Sequence, residues 1–108
     1  CLRPDGEGAD QPTFDNLKTQ AATLKLAAHY LPIIPGQISE EQIAEFADMV
    51  RKSTGPIFAY CLSGMRATAL WALHQAQIGQ SVDEILAAAK SAGHDLTALA
   101  PRLSAAAL

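Results

Sequence analysis

Residues 56–68 read Pro56-Ile57-Phe58-Ala59-Tyr60-Cys61-Leu62-Ser63-Gly64-Met65-Arg66-Ala67-Thr68, and this stretch decides the fold. Its first five residues form a short apolar run of strand character that stops at Cys61. A tight loop around Gly64 follows. From Arg66 to about Gln77 the pattern turns helical, with Leu70, Trp71, His74 and Ile78 on the inward face. A strand, a tight loop and a helix in that order are the repeating unit of parallel α/β sheets, whose ligands bind at the carboxyl ends of the strands.

Working outward, the same alternation continues in both directions. On the N-terminal side, residues 1–12 read as a strand end running into a Pro-, Gly- and Asp-rich loop. Because Cys1-Leu2-Arg3-Pro4-Asp5-Gly6 looks like the close of a strand, the chain is expected to open mid-fold, with a first strand before Cys1. Thr13 is a helix cap, and Phe14, Leu17, Ala21 and Leu24 space a helix over about 13–28. His29 to Ile34 reads as a buried strand weakened by Pro32, ending at the Pro35-Gly36 turn. Ser39-Glu40-Glu41-Gln42 is a capping box opening a helix to about Ser53. Beyond the central stretch, Ser81-Val82-Asp83-Glu84 is a second box, opening a helix to about Ala92. Asp95 caps a last helical stretch that Pro101 breaks or restarts. The expected fold class is α/β: one domain over 1–108, a small parallel sheet with helices on both faces.

The totals restrict what such a domain does. The 108 residues are 49% hydrophobic and 18% charged, with net charge −3, ordinary values for one globular domain. No run of Lys or Arg offers an electrostatic footprint for nucleic acid. No stretch approaches the roughly 18 apolar residues of a membrane span, and no secretory signal pattern is visible. Two cysteines and three dispersed histidines make neither a disulfide framework nor a metal site, so no cofactor is expected. A reducing, cytoplasmic compartment is expected.

The chemistry concentrates on Cys61. Gly64 allows the backbone angle at which successive amides turn inward as an anion nest. The helix behind it adds the positive end of its dipole. Arg66 adds a permanently charged fork matched to an oxyanion. In that field the Cys61 thiol is expected to ionise near neutral pH and to attack an electrophilic atom carried on the bound anion. Sulfur and phosphorus are the two candidates. The catalytic residues are therefore Cys61 and Arg66. Leu62, Ser63, Gly64, Met65, Ala67 and Thr68 form the anion-binding frame, and Met65 supplies an apolar wall. The plain alternative is an inert buried thiol. His29, His74, Trp71 and Phe58 are most simply core.

Cys61-Leu62-Ser63-Gly64-Met65-Arg66 resembles the CxxGxR active loop of rhodaneses, with four residues between Cys and Arg. Protein tyrosine phosphatases have five there and usually a His before the nucleophile, where this chain has Tyr60. Leu2-Arg3-Pro4-Asp5-Gly6-Glu7, Pro35-Gly36-Gln37, Ala59-Tyr60-Cys61 and Ala69-Leu70-Trp71-Ala72-Leu73 together resemble the phosphatase-like domain of beta-lactamase-hydrolase-like proteins. That resemblance implies a tyrosine-phosphatase-like fold and sulfur transfer, in bacteria often beside a persulfide dioxygenase or a sulfide-oxidising module. Family members often carry a basic residue at the position of Leu62 and Ser at that of Ala67.

The expectation is thus a sulfurtransferase. It moves sulfane sulfur from a small anionic donor, thiosulfate or glutathione persulfide, through a Cys61 persulfide to a thiol acceptor. The alternatives are a phosphatase acting through a phosphocysteine, and a non-catalytic persulfide carrier or binding module. A phosphatase needs a general acid. The Pro35-Gly36-Gln37 turn has none, and Asp5 is the one substitute, more simply read as a turn residue. Cys1, if it ends the strand beside that of Cys61, is an auxiliary thiol able to form a reversible disulfide with it.

Overall fold

The computed structural model describes residues 1–107. Five α-helices carry the chain: α1 (Phe14–Thr23), α2 (Glu40–Lys52), α3 (Met65–Gln77), α4 (Val82–Ser91) and α5 (Ala100–Ala106), the last entered through a 3₁₀ turn over Thr97–Leu99. Their starts follow the sequence signals. Thr13 accepts the Asn16 amide, and Ser39 and Gln42 make both halves of a capping box. At Ser81 only the hydroxyl half is made, to the Glu84 amide. Asp95 accepts the Thr97 amide at 2.9 Å, fixing the start of the 3₁₀ turn.

Helix α1 stops five residues short of its expected end. Lys25 takes the left-handed conformation, φ 58°. The Leu26 amide then bonds the Ala21 carbonyl and the Lys25 amide that of Ala22. This is a Schellman closure with lysine where glycine is usual. Helix α4 closes in the same way through Gly93 (φ 96°), with the His94 amide on the Ala89 carbonyl. That closure fixes where His94 goes.

Three non-helical runs lie side by side. Cys1 donates its amine to the His29 carbonyl at 2.9 Å and accepts from the Leu31 amide at 3.0 Å, the two-sided pairing of parallel neighbours. The Ile33 amide bonds the Leu2 carbonyl, and the Leu2 amide bonds the Tyr60 carbonyl. Among the described residues, however, no β-strand forms, so the expected parallel sheet is not realised as a ladder. Pro32 offers no donor, and a single bond ties the Tyr60 run to its neighbour. Burial alternates along residues 31–34: Leu31 and Ile33 are buried, while Pro32 and Ile34 are exposed.

Helix α3 is the centre of the core. Its Leu70, Ala72, Leu73 and Ala76 are fully buried, and it packs against α2, α4 and α5. Ile43 and Phe46 of α2, Ile85 and Ala89 of α4, and Leu103 of α5 close around it, with Leu2, Leu31, Ile33 and Cys61 in the same cluster. Burying a side chain of this size contributes about 1.5–3 kcal/mol. His74 is buried as expected, edge-on to Phe46, with its Nδ1 unpartnered among the described residues. Trp71 is partly buried and packs against this cluster, but three other expectations fail. His29 is exposed, its carbonyl taken by the Cys1 amine. Ile78, past the end of α3, and Phe58, in the apolar run, are 60% and 86% exposed. No helix is long and apolar enough to cross a membrane among the described residues.

Candidate active site

The site begins with what α3 lacks at its start. Gly64 is its N-cap, at φ 94° and ψ −8°, with no side chain to satisfy the first amides. Those amides turn to sulfur. The Gly64 N–H points at Cys61 Sγ at 3.2 Å. Burial pushes the Cys61 thiol up, but hydrogen bonds from the Ala67, Gly64, Arg66 and Ser63 amides outweigh it, and the net shift is downward. Gly64 also has a neighbour. A Cβ there would stand 3.0 Å from His94 Nε2, so the imidazole set by the α4 closure rests against the loop.

Arg66 is buried at 7% exposure. Its Nη1 and Nη2 each donate to a Glu7 carboxylate oxygen at 2.7 Å, and Nη1 also donates to the Ile33 carbonyl at 2.9 Å. The fork expected to grip substrate is therefore largely held by the protein. Three of its five N–H groups are engaged, leaving Nε–H and one Nη2 hydrogen for the side of the sulfur. Glu7 raises the Arg66 pKa most, with the Cys61 thiolate adding to it. Glu7 in turn is held down to about 2, first by Arg66 and then by Arg3, whose Nε donates to it at 2.9 Å. Arg3, Glu7 and Arg66 form one chain of alternating charge beside Cys61.

The other expected residues lie in or near this frame. Leu62 and Met65 are exposed, and Ser63 Oγ accepts the Met65 amide at 3.4 Å. Ala67 packs on the core. Thr68 spends both its amide and its hydroxyl on the Gly64 carbonyl, so it braces the loop. Asp5 Oδ1 accepts the Phe14 amide at the start of α1, the turn role, while its own amide bonds Tyr30 Oη. Cys1 and Cys61 are both free thiols, and Cys1 Sγ donates to the Arg3 carbonyl at 3.6 Å. No group of three His, Cys, Asp or Glu side chains could hold a metal among the described residues.

A cleft of about 490 Å³ reaches Cys61, lined by Arg3, Gln11, Pro12, Leu17, Phe58 and Tyr60. Burial, and then the charge of Asp5, push the Tyr60 phenol up. Sequence reasoning did not single out Glu7, Arg3 or His94. The Arg3–Glu7 spacing of four carries no signal outside a helix, and nothing marks a contact between Arg66 and a residue 59 positions earlier.

A buried cysteine is ringed by the amides of the loop and of the next helix, with an arginine on that helix's first turn, an arrangement able to receive an anion. Residues 1–78 match the model of the phosphatase-like domain of beta-lactamase hydrolase-like proteins, and the chain belongs to that family. Beta-lactamase hydrolase-like proteins from two strains of Xylella fastidiosa are 35% identical over 96 residues, and that from Agrobacterium fabrum is 33% identical over 97. These matches cover 88–89% of the chain but 22% of each relative, so the chain spans about a fifth of their length. A crystal structure from Neisseria meningitidis, described as a candidate phosphatase, superposes with a TM-score of 0.86 at 32% identity. It covers 98% of this chain and 75% of that one, and the fold is phosphatase-like.

Proposed function

We propose that this domain is a sulfurtransferase, with Cys61 carrying sulfane sulfur from a small anionic donor to a thiol acceptor. The observation that carries this reading is the cleft at Cys61. Its other lining residues contribute no carboxylic acid or imidazole, and the Tyr60 phenol is shifted away from easy proton loss. An alkoxide leaving a phosphate ester needs a proton donor. A departing thiolate or sulfite needs none. In the first half-reaction the Cys61 thiolate attacks the outer sulfur of a persulfide R–S–SH. A new S–S bond forms as the old one breaks, R–S⁻ leaves, and Cys61–S–SH results. An acceptor thiolate then takes the outer sulfur by the same exchange. The loop amides and the two remaining Arg66 donors stabilise the donor's charge.

The reading includes a cytoplasmic setting, glutathione or a protein thiol as acceptor, and a persulfide dioxygenase or sulfide-oxidising module nearby. It also takes the three paired runs as the sheet layer of a tyrosine-phosphatase-like α/β fold. A second reading, phosphoryl transfer through a phosphocysteine, is favoured by the names of the family and of the N. meningitidis relative.

Intact mass and peptide mapping after incubation with thiosulfate or glutathione persulfide test the first reading. One added sulfur on Cys61 is expected. Cys61→Ser is expected to abolish it, and Arg66→Ala to weaken donor binding and thiolate formation. Hydrolysis of an aryl phosphate with no sulfur adduct selects the phosphatase. Neither reaction leaves a binding module.

A further inference from the structure

Only part of the 490 Å³ cleft is explained by the nucleophile. On one side stand Phe58, almost wholly exposed, and Tyr60, their rings 5.6 Å apart and inclined at 31°. Pro12 and Leu17 also line the cleft. This is a wall for a flat or apolar body. Among the described residues that line the cleft, Arg3 is the one charged side chain beside Cys61.

Arg3 is held ready rather than used up. Among the described residues its Nε alone makes a hydrogen bond, to Glu7, and its side chain is 21% exposed. The end of the guanidinium lies over Gly8, where a Cβ would stand 2.6 Å from Nη2. A residue with any side chain at position 8 would push the guanidinium aside. Arg3 lines the cleft with neither Nη group hydrogen-bonded among the described residues, while the Nε bond fixes the plane, an arrangement suited to a carboxylate or other planar anion.

We infer that Arg3 and the Phe58–Tyr60 wall form a subsite for the leaving group, selecting substrates whose departing fragment carries an anionic substituent on an apolar body. This rests on Cys61 being the nucleophile but not on which atom is transferred. A carboxylate-bearing thiol persulfide fits it better than thiosulfate, whose departing sulfite has no such body.

Aryl disulfides test the subsite without either proposed transfer reaction. The Cys61 thiolate attacks one sulfur of Ar–S–S–Ar, a mixed disulfide forms, and Ar–S⁻ departs with its colour. The full chain carrying Cys1→Ser is used so that Cys61 is the only thiol. The rates with a bis(carboxynitrophenyl) disulfide and with uncharged dithiodipyridine give a selectivity ratio, normalised to a free small-molecule thiol. The ratio is expected to favour the carboxylate. Arg3→Gln should cut it roughly ten-fold, the scale of one charge-assisted hydrogen bond. Arg3→Lys should restore part of it, and Gly8→Ala, which keeps the charge but displaces it, should lower it. Because a ratio is read, a general loss of loop geometry lowers both rates and leaves it unmoved. An unchanged ratio in Arg3→Gln overturns the subsite even if Cys61 accepts sulfur. A ratio that falls while no sulfur adduct forms on Cys61 keeps the subsite and removes the sulfurtransferase.

Discussion

Replacing Gly64 by alanine perturbs backbone strain, a side-chain neighbour and the nucleophile together, and each can be sized. At φ 94° an L-residue is forced into left-handed backbone, at about 1–2 kcal/mol. For a chain near 100 residues that lowers the thermal midpoint by roughly 4–16 °C. The new Cβ would also meet His94 Nε2 at 3.0 Å and Cε1 at 3.3 Å, so the imidazole must give way. A double-mutant cycle with His94→Ala isolates that contact, with an expected coupling of about 0.5–1 kcal/mol. The third effect is chemical. If the loop relaxes, the Gly64 amide leaves Cys61 Sγ, and a lost hydrogen bond to a charged group of about 1.5–3 kcal/mol raises the thiolate pKa by roughly 1–2 units. Urea unfolding measures the first two, and the pH dependence of Cys61 alkylation measures the third. Stability within about 0.5 kcal/mol of the parent refutes the strain argument. A fall in stability with an unmoved thiolate pKa refutes the role given to the amide.

Two further expectations concern pH. Glu7 is depressed to about 2 from an ordinary 4.5, so its pairing with Arg66 stabilises the fold above pH 4.5 and that stability is lost as pH falls from 4.5 toward 2. Glu7→Gln should flatten this acid limb of the unfolding curve and weaken donor binding by freeing Arg66; an unaltered limb contradicts the pairing. His74 is lowered by burial, so the neutral ring is the one the fold accepts, and stability present above the ordinary value of 6.5 declines as pH drops below it. His74→Leu should remove that decline and, with no unpartnered Nδ1 left, cost little near neutrality; a persisting decline between pH 6.5 and 5 assigns it elsewhere.

What the sequence made legible is local. Ser39 and Ser81 mark helix starts because each acts within a few residues of itself, and α2 and α4 begin where those caps put them. Cys61 and Arg66 stand where an extended run gives way to α3, for the same reason. Elements set by distant partners, or by a backbone conformation the residue type disfavours, were not legible. The end of α1 depends on Lys25 adopting a conformation that its side chain does not announce. Phe58 and Ile78 are as apolar as Leu70, and hydrophobicity alone does not say which of them finds a neighbour. The fork of Arg66 was read as open because its occupant, Glu7, lies in a loop at the other end of the sequence.

That long-range ion pair has a kinetic consequence. Helix α3 packs on α2 and α4, its neighbours along the chain, as well as on α5. The nucleophile's surroundings require residues 2 and 60, 7 and 66, and 33 and 66 to meet, each across a large closed loop. A chain emerging from the ribosome carries Glu7 for 59 residues before its partner exists. The hydrogen bonds that draw the Cys61 pKa down thus depend on a closed loop, and a chain in which these contacts have not formed carries a cysteine without that shift.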